Sequence, residues 1–407
     1  MSRLMQRFAT APAPPVAARE LTAVSADGSR LHVEVHGPDG APAVVLAHGW
    51  TCSTRFWAAQ IRELAADHRV IAYDQRGHGR TPAVGEAVAG AGAGAGAVAG
   101  YGYGYGTEAL ADDLEAVLAA ALAPGERAVL AGHSMGGMTL MAAASRPGFA
   151  EHAAAALLCS TGSSRLVAES LVVPMRAGAF RTRLTRAILG SRAPLGPVTP
   201  VSRRILRYAT MGPGTAPERV AECARIVHAC PRRTRVAWAH VLAGLDLDSG
   251  VREMRLPTAV VAGTADRLTP IVHARALAAS LPECTGLVEL AGTGHMTPVE
   301  APEVVTAEIR KLVDAYLGRE AAAGQGSRTA REAAAQQDSG TAREAAAQQD
   351  SGTAREAAAQ QDSGTARGAA ARPDSRKARE IPAAREPRTV REAAARPGTP
   401  TTQEEQA

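Results

Sequence analysis

Aromatic side chains are scarce in this sequence, at 3%, and Ala and Gly supply much of what counts as apolar, so the hydrophobic total of 46% overstates the area available for a core. Lysine is almost missing. Lys311 and Lys377 are the only two, and arginine carries nearly all the positive charge. Cysteines number five, Cys52, Cys159, Cys223, Cys230 and Cys284. An odd count at irregular spacing argues against a disulfide framework and suits a reducing compartment. Cys223, His228 and Cys230 lie close together, but no second ligand pair at zinc-site spacing accompanies them, so small buried hydrophobes are expected and no metal. No eighteen consecutive residues are strongly apolar, so no spanning helix is expected. The first residues, MSRLMQRFATAPAPPVAARE, lack an apolar run of signal-peptide length. The composition leads to the expectation of a cytoplasmic protein with no nucleic-acid partner.

Acidic residues are missing from one stretch in particular. Between positions 160 and 245 there are 14 Arg against only Glu169, Glu218 and Glu222. The formal net charge of the whole chain is only +5, so this basic segment sits on an acidic remainder.

What is present first is repetition. The unit REAAAQQDSGTA recurs with period 12 from Arg319 onward, degenerate in its first and last copies. Twelve residues is not a whole number of helical turns. Alanine buries too little area to offset ordering entropy. Residues 319–407 are therefore read as a disordered tail, and 1–18 as a disordered N-terminal segment. A second low-complexity piece, AGAGAGAVAGYGYGYG at 91–106 within an insert at about 83–106, carries glycine at almost every second position and reads as a surface loop, or as a flap over a substrate site.

Between these pieces, strands alternate with helices. Strand-like runs occupy 31–37, 43–49, 69–74, 127–132, 153–160, 258–263 and 286–292, and helical patterns occupy 54–66, 108–122, 135–147, 271–281 and 302–317. Continuous apolar runs such as AVVLA suit parallel strands buried on both faces. The alternation predicts an α/β fold, a mostly parallel sheet flanked by helices. Residues 161–250 interrupt it with Arg, Pro and Gly and no strand-like run, which predicts an inserted helical subdomain.

The strongest local signal is GHSMGG at 132–137, a G-x-S-x-G pattern between a predicted strand and a predicted helix. It resembles the nucleophile elbow of α/β-hydrolases, in which a sharp turn projects the serine hydroxyl from the sheet and the following helix directs its free amides at the site. Ser134 is thus the candidate nucleophile, with Gly132 and Gly136 allowing close backbone approach. A hydroxyl needs a base. In the resembled family the chain order is Ser, acid, His. His295, in GTGHMTPVEAPE beyond the last predicted strand, is the candidate base. Asp266, in GTADRLTP after the strand TAVVAG, is the candidate acid that orients it. Arg267 is its charged neighbour, and Asp246 and Asp248 precede that strand, at its wrong end. The oxyanion requires two fixed donors. They are expected from the backbone N–H groups of Met135, directly after the nucleophile, and Trp50, in AHGWTC at 47–52. His48 is read as structural, holding that loop.

Taken together, HGW, DQRGHGRT, GHSMGG, GTADRLTP and GTGHMTPVE occur in the order seen in the α/β-hydrolase fold superfamily. The sequence is similar to a bacterial branch that includes carboxylesterases, monoacylglycerol-lipase-like enzymes, carbon–carbon bond hydrolases and cofactor-free haloperoxidases. The resemblance covers about residues 20–318. It implies an eight-stranded sheet, a helical cap at about 161–250, no cofactor and a small-molecule substrate. Serine at the elbow points to cleavage of a carboxylic ester, possible lipid-like esters included. Carbon–carbon cleavage and perhydrolysis share the same triad and stay open, as does a non-catalytic binding role. The basic segment has two readings as well. It is a solvated face, or it attracts anionic substrates or an anionic lipid surface through Arg203, Arg204 and Arg207 on one helical face and a second cluster of Arg232, Arg233 and Arg235.

Overall fold

Runs that are apolar at every position cannot face water on either side, and the chain places them at the centre of one sheet. The computed structural model describes residues 18–83 and 104–318. Its strands are β1 (Arg19–Val24), β2 (Arg30–His36), β3 (Ala43–Ala47), β4 (Arg69–Tyr73), β5 (Ala128–His133), β6 (Ala153–Cys159), β7 (Thr258–Gly263) and β8 (Cys284–Leu290). They form a single eight-stranded sheet in the order β1-β2-β4-β3-β5-β6-β7-β8. β1 and β2 pair antiparallel, as do β2 and β4, and the other pairs are parallel. Every residue of β3, β5, β6 and β7 is buried. The outermost strands β1 and β8 are largely exposed or half-buried.

The helices are α1 (Ala58–Leu64), α2 (Thr107–Ala121), α3 (Met135–Ala142), α4 (Pro147–His152), α5 (Leu166–Glu169), α6 (Ala179–Leu189), α7 (Pro200–Thr210), α8 (Pro217–Ala229), α9 (Arg232–Ala243), α10 (Asp248–Glu253), α11 (Ile271–Ser280), α12 (Thr297–Glu300) and α13 (Pro302–Tyr316). One face of the sheet packs on α2, α3, α10 and α11 through residues such as Leu114, Leu118, Met141, Val251 and Leu277. The other packs on α1 and α13 through Leu64, Val305, Ile309 and Val313. The two-layer cover explains why the central strands show no alternation.

Two features depart from the residue-by-residue reading. β1 was not among the strand-like runs, because only Ala23 in it is fully buried and its pattern carries little periodicity. The helix read over 135–147 stops at Ala142, and Pro147 instead occupies the first turn of α4, where its missing N–H costs nothing.

Between β6 and β7 the chain leaves the sheet and builds the inserted helices α5 to α9. The ends of the insertion meet at its neck. Ser164 and Asp246 form an antiparallel bridge, and Leu247 N–H donates to the Ser163 carbonyl at 2.8 Å. Two indoles tie α9 to the sheet loops: Trp238 donates to Arg76 O at 3.2 Å, and Trp50 donates to Arg235 O at 3.1 Å. Arg76 is itself buried and pairs with the buried Asp113 of α2. The readings of the N-terminal segment, most of the glycine-rich insert and the repeat tail fall outside the described residues.

Candidate active site

The turn from β5 into α3 is too sharp for ordinary backbone geometry. Ser134 sits there at φ 51°, ψ −116°, a conformation that non-glycine residues rarely adopt and that is held only when the surroundings impose it. They do. Ser134 N–H donates to Cys159 O at 2.9 Å, and its carbonyl accepts from Met138 N–H at 3.1 Å and from the Thr161 hydroxyl at 2.7 Å. The glycines on either side are dictated by contact. A Cβ on Gly132 would lie 2.5 Å from Gly136 O, and one on Gly136 would lie 2.0 Å from Ala47 O. α3 can therefore start almost against β3.

His295 follows β8 and Asp266 follows β7, both in loops at the same end of the sheet as Ser134. The structure brings the three together. His295 Nε2 is 3.0 Å from Ser134 Oγ, and His295 Nδ1 is 2.8 Å from Asp266 Oδ2. All three are buried, at 9%, 4% and 2% exposure for Ser134, His295 and Asp266. Asp266 Oδ1 accepts N–H bonds from Leu268 at 2.8 Å and Thr269 at 3.0 Å, which fixes the carboxylate plane. Arg267, the charged neighbour, turns away and donates to Tyr208 O. Asp246 and Asp248 sit at the neck of the insertion, away from this cluster, with Asp248 accepting from Ser163 Oγ.

One member of the cluster was not foreseen. Thr269 Oγ1 lies 2.8 Å from Asp266 Oδ2, 3.1 Å from His295 Nδ1 and 3.0 Å from Ser160 O. The signal was a hydroxyl three residues after the aspartate, in the same GTADRLTP segment. His133 is a second unforeseen neighbour. Its Nε2 donates to His295 O at 2.9 Å, and burial followed by the proximity of His295 holds its pKa well below the usual 6.5.

The loop after β3 carries Trp50 and is pinned by two imidazoles. His48 Nε2 accepts from Gln75 N–H at 3.0 Å, and its Nδ1 donates to Gly49 O at 2.8 Å. His78 Nε2 accepts from Thr51 N–H at 3.1 Å. An acceptor nitrogen must be unprotonated. Burial lowers the pKa of His48 to about 4; burial, with repulsion from His48, lowers that of His78 to about 3. Thr51, at φ 62°, is held in a left-handed turn by this pair. Asp74 braces the neighbouring turn by accepting from Thr54 N–H and Arg80 N–H, both at 2.8 Å. Among the described residues, neither Trp50 N–H nor Met135 N–H has an acceptor; Met135 directly follows Ser134, and Trp50 lines the same pocket as the serine.

Above the serine, the inserted helices enclose a pocket of about 390 Å³. Its wall is mostly aliphatic, with Leu166, Leu189, Leu206, Val227 and Leu242 among the contributors, and among the described residues no carboxylate lines it. Arg186 and Arg235 are its charged residues. The sequence grouped Arg235 with Arg232 and Arg233, but the structure separates them. Arg232 and Arg233 are exposed in the first turn of α9, whereas Arg235 is buried, lines the pocket and donates to Ala193 O at 2.6 Å. His228 donates from Nδ1 to Gly196 O at 3.0 Å and also lines the pocket, while Cys223 is buried among core residues.

Comparison with known proteins bears on the family and the fold. The family model described as the alpha/beta hydrolase family matches residues 44–308. RutD of Variovorax paradoxus, whose name assigns it carbamate hydrolysis, is 32% identical over 306 residues, covering 72% of this chain and 98% of its own. A pimeloyl-[acyl-carrier protein] methyl ester esterase of Xylella fastidiosa is 25% identical over 287 residues, covering 70% of this chain and 98% of its own. Among solved structures, the esterase RhEst1 of a Rhodococcus species shares the fold with a TM-score of 0.57 at 24% identity, covering 73% of this chain and 99% of its own. The chain belongs to the alpha/beta hydrolase family and is a hydrolase.

Proposed function

We propose that the protein cleaves a carboxylic ester through an acyl-enzyme, with Ser134 as nucleophile, His295 as base and Asp266 as the group that orients it. The observation that carries this reading is the unbroken chain from Asp266 Oδ2 to His295 Nδ1 at 2.8 Å and from His295 Nε2 to Ser134 Oγ at 3.0 Å, at the base of an apolar pocket. With Nδ1–H donated to the aspartate, the Nε2 lone pair faces the serine hydroxyl. As Oγ bonds to the ester carbon, its proton passes to Nε2 and the carbonyl π pair moves onto oxygen. Trp50 N–H and Met135 N–H are assigned to that oxyanion, where fixed donors lower the barrier most. The tetrahedral species collapses, the C–O bond to the alcohol breaks, and the leaving oxygen takes the proton from His295. Water then attacks the acyl-serine with His295 again as base. The acid is released and the serine hydroxyl restored.

The aliphatic pocket wall favours an ester with an apolar acyl or alkyl part over a small polar carbamate, the bond named for the Variovorax relative. Burial of apolar chain contributes roughly 0.8 kcal/mol per methylene, so kcat/KM is expected to rise with chain length until the pocket is full. The test has two arms. A fluorophosphonate probe should label the native chain and not the Ser134→Ala variant, and that variant should lose about four or more orders of magnitude in kcat while its melting temperature is retained. A panel of 4-nitrophenyl esters of graded length, set beside carbamates, should then show turnover of the esters. Labelling at another serine, or turnover of carbamates alone, overturns the reading.

A further inference from the structure

Of the exposed large apolar side chains among the described residues, all but Val24 and Val272 fall between Leu171 and Tyr208. Phe180 and Val201 are each 68% exposed and Ile205 is 63% exposed, on α6 and α7. The same stretch is devoid of acid: from 170 to 217 the chain has eight Arg and no Asp or Glu. Among the described residues, none of Arg176, Arg183, Arg186, Arg203, Arg204 and Arg207 has a carboxylate partner; the ion pairs Arg165–Glu169 and Arg219–Glu303 lie just outside the segment. On α7, Val201, Ile205 and Tyr208 recur at helical spacing with Arg204 and Arg207 exposed between them. The patch is also continuous with the site, because the exposed Ile188, Leu195 and Ile205 line the pocket above Ser134.

Each half of this pattern restricts the occupant. Exposed aliphatic and aromatic groups call for an apolar phase, and unpaired arginines around them call for anions at its edge. A second copy of the chain would bring the same acid-free arginines against one another, so self-association through this face is opposed by charge. We infer that α6, α7 and the loop between them are a docking face for an anionic lipid bilayer, oriented so that an amphiphilic substrate passes from the bilayer into the pocket. Phe180 and Val201 enter the acyl boundary, and Arg183, Arg204 and Arg207 meet the headgroup anions. Only the delivery of substrate rests on the proposed esterase reading; the docking itself does not.

The experiment is co-sedimentation of the full chain with vesicles of phosphatidylcholine alone or mixed with phosphatidylglycerol. Partition is expected to favour the anionic vesicles at low salt. It should fall sharply at roughly 1 M salt, where the Debye length is about 3 Å. Arg183, Arg204 and Arg207 do not line the pocket, and changing all three to Gln should weaken partition by roughly a hundredfold, from about fivefold for each charge. The pair Phe180→Ser and Val201→Ser should weaken it by about tenfold or more with the charges intact. Hydrolysis of a short soluble ester by the same samples reports folding. Failure of the native chain to sediment with anionic vesicles, partition that both variants keep, or capture of a soluble acidic protein while vesicles stay unbound would each overturn the inference. Vesicle binding without turnover of any ester leaves the docking face standing and overturns the proposed reaction.

Discussion

At the scale of single residues, the arrangement around Asp266 is more tightly specified than a three-member chain requires. Its Oδ1 is held by two backbone N–H groups, and its Oδ2 faces both His295 Nδ1 and Thr269 Oγ1. Thr269 is a positioning residue in this reading, since it touches the aspartate and the imidazole but not the serine. Replacing it by Val removes the hydroxyl at nearly constant volume. Loss of one such supporting bond is expected to lower kcat by about tenfold with KM nearly unchanged, in line with roughly 1.4 kcal/mol per decade. Thr269→Ser, which keeps the hydroxyl, should recover most of the rate. A structural role alone would lower the melting temperature of the Val variant and leave kcat in place, so the pair of measurements separates the two.

At the scale of elements, the site depends on how closely α3 approaches β3. Helix and strand meet where Gly136 passes Ala47, and no side chain fits between them. Gly136→Ala would set a Cβ 2.0 Å from a backbone carbonyl, which can be relieved only by moving the helix or the strand. Overpacking of this kind costs roughly 1–3 kcal/mol and displaces the start of α3, where Ser134 and Met135 lie. The expected outcome is a melting temperature several degrees lower together with loss of fluorophosphonate labelling. Gly125, where a Cβ meets open space but φ is +73°, is the control. Its change to Ala should lower stability through backbone strain alone and leave labelling intact.

For the whole molecule, stability is tied to pH through histidines that fold uncharged. His48, His78 and His133 are buried, and each has a folded pKa below the ordinary 6.5, at about 4 for His48, about 3 for His78 and well below for His133. At these groups the unfolded chain therefore binds more protons than the native one between about pH 6.5 and the folded pKa values. The stability these groups contribute is complete above that value and declines as pH falls toward the folded pKa values. By pH 5 the loss is roughly 2 kcal/mol for each fully neutral histidine. Urea unfolding followed between pH 8 and 5 should show a midpoint that is flat above about 7 and then drops steadily. A variant with His78 replaced by Gln, which cannot be protonated, should drop less steeply. A native chain as stable at pH 5 as at pH 8 would contradict the assignment of neutral imidazoles to the loop that carries Trp50.

What could be read from the chain alone follows from local rules. Continuous apolar runs such as those of β3, β5, β6 and β7 have one stable environment, so strand identity and a mostly parallel sheet are encoded in a few consecutive residues. The same holds for the elbow, because G-x-S-x-G between strand and helix is a local backbone demand, and for the placing of Asp266 and His295 in loops that follow strands. Tertiary packing decided the rest. β1 became a strand by pairing with β2 and not by any periodicity of its own. Arg235 and its neighbours Arg232 and Arg233 are equivalent as sequence, yet the face of α9 that turns toward the pocket buries Arg235 and leaves the others in water. Thr269, His78 and His133 acquire their partners across 26, 27 and 162 positions of chain. The Thr269 bond to Asp266 is local, but its contact with His295 and those of His78 and His133 leave no pattern in neighbouring residues, because hydrogen bonding between distant segments is set by where the sheet brings their ends together.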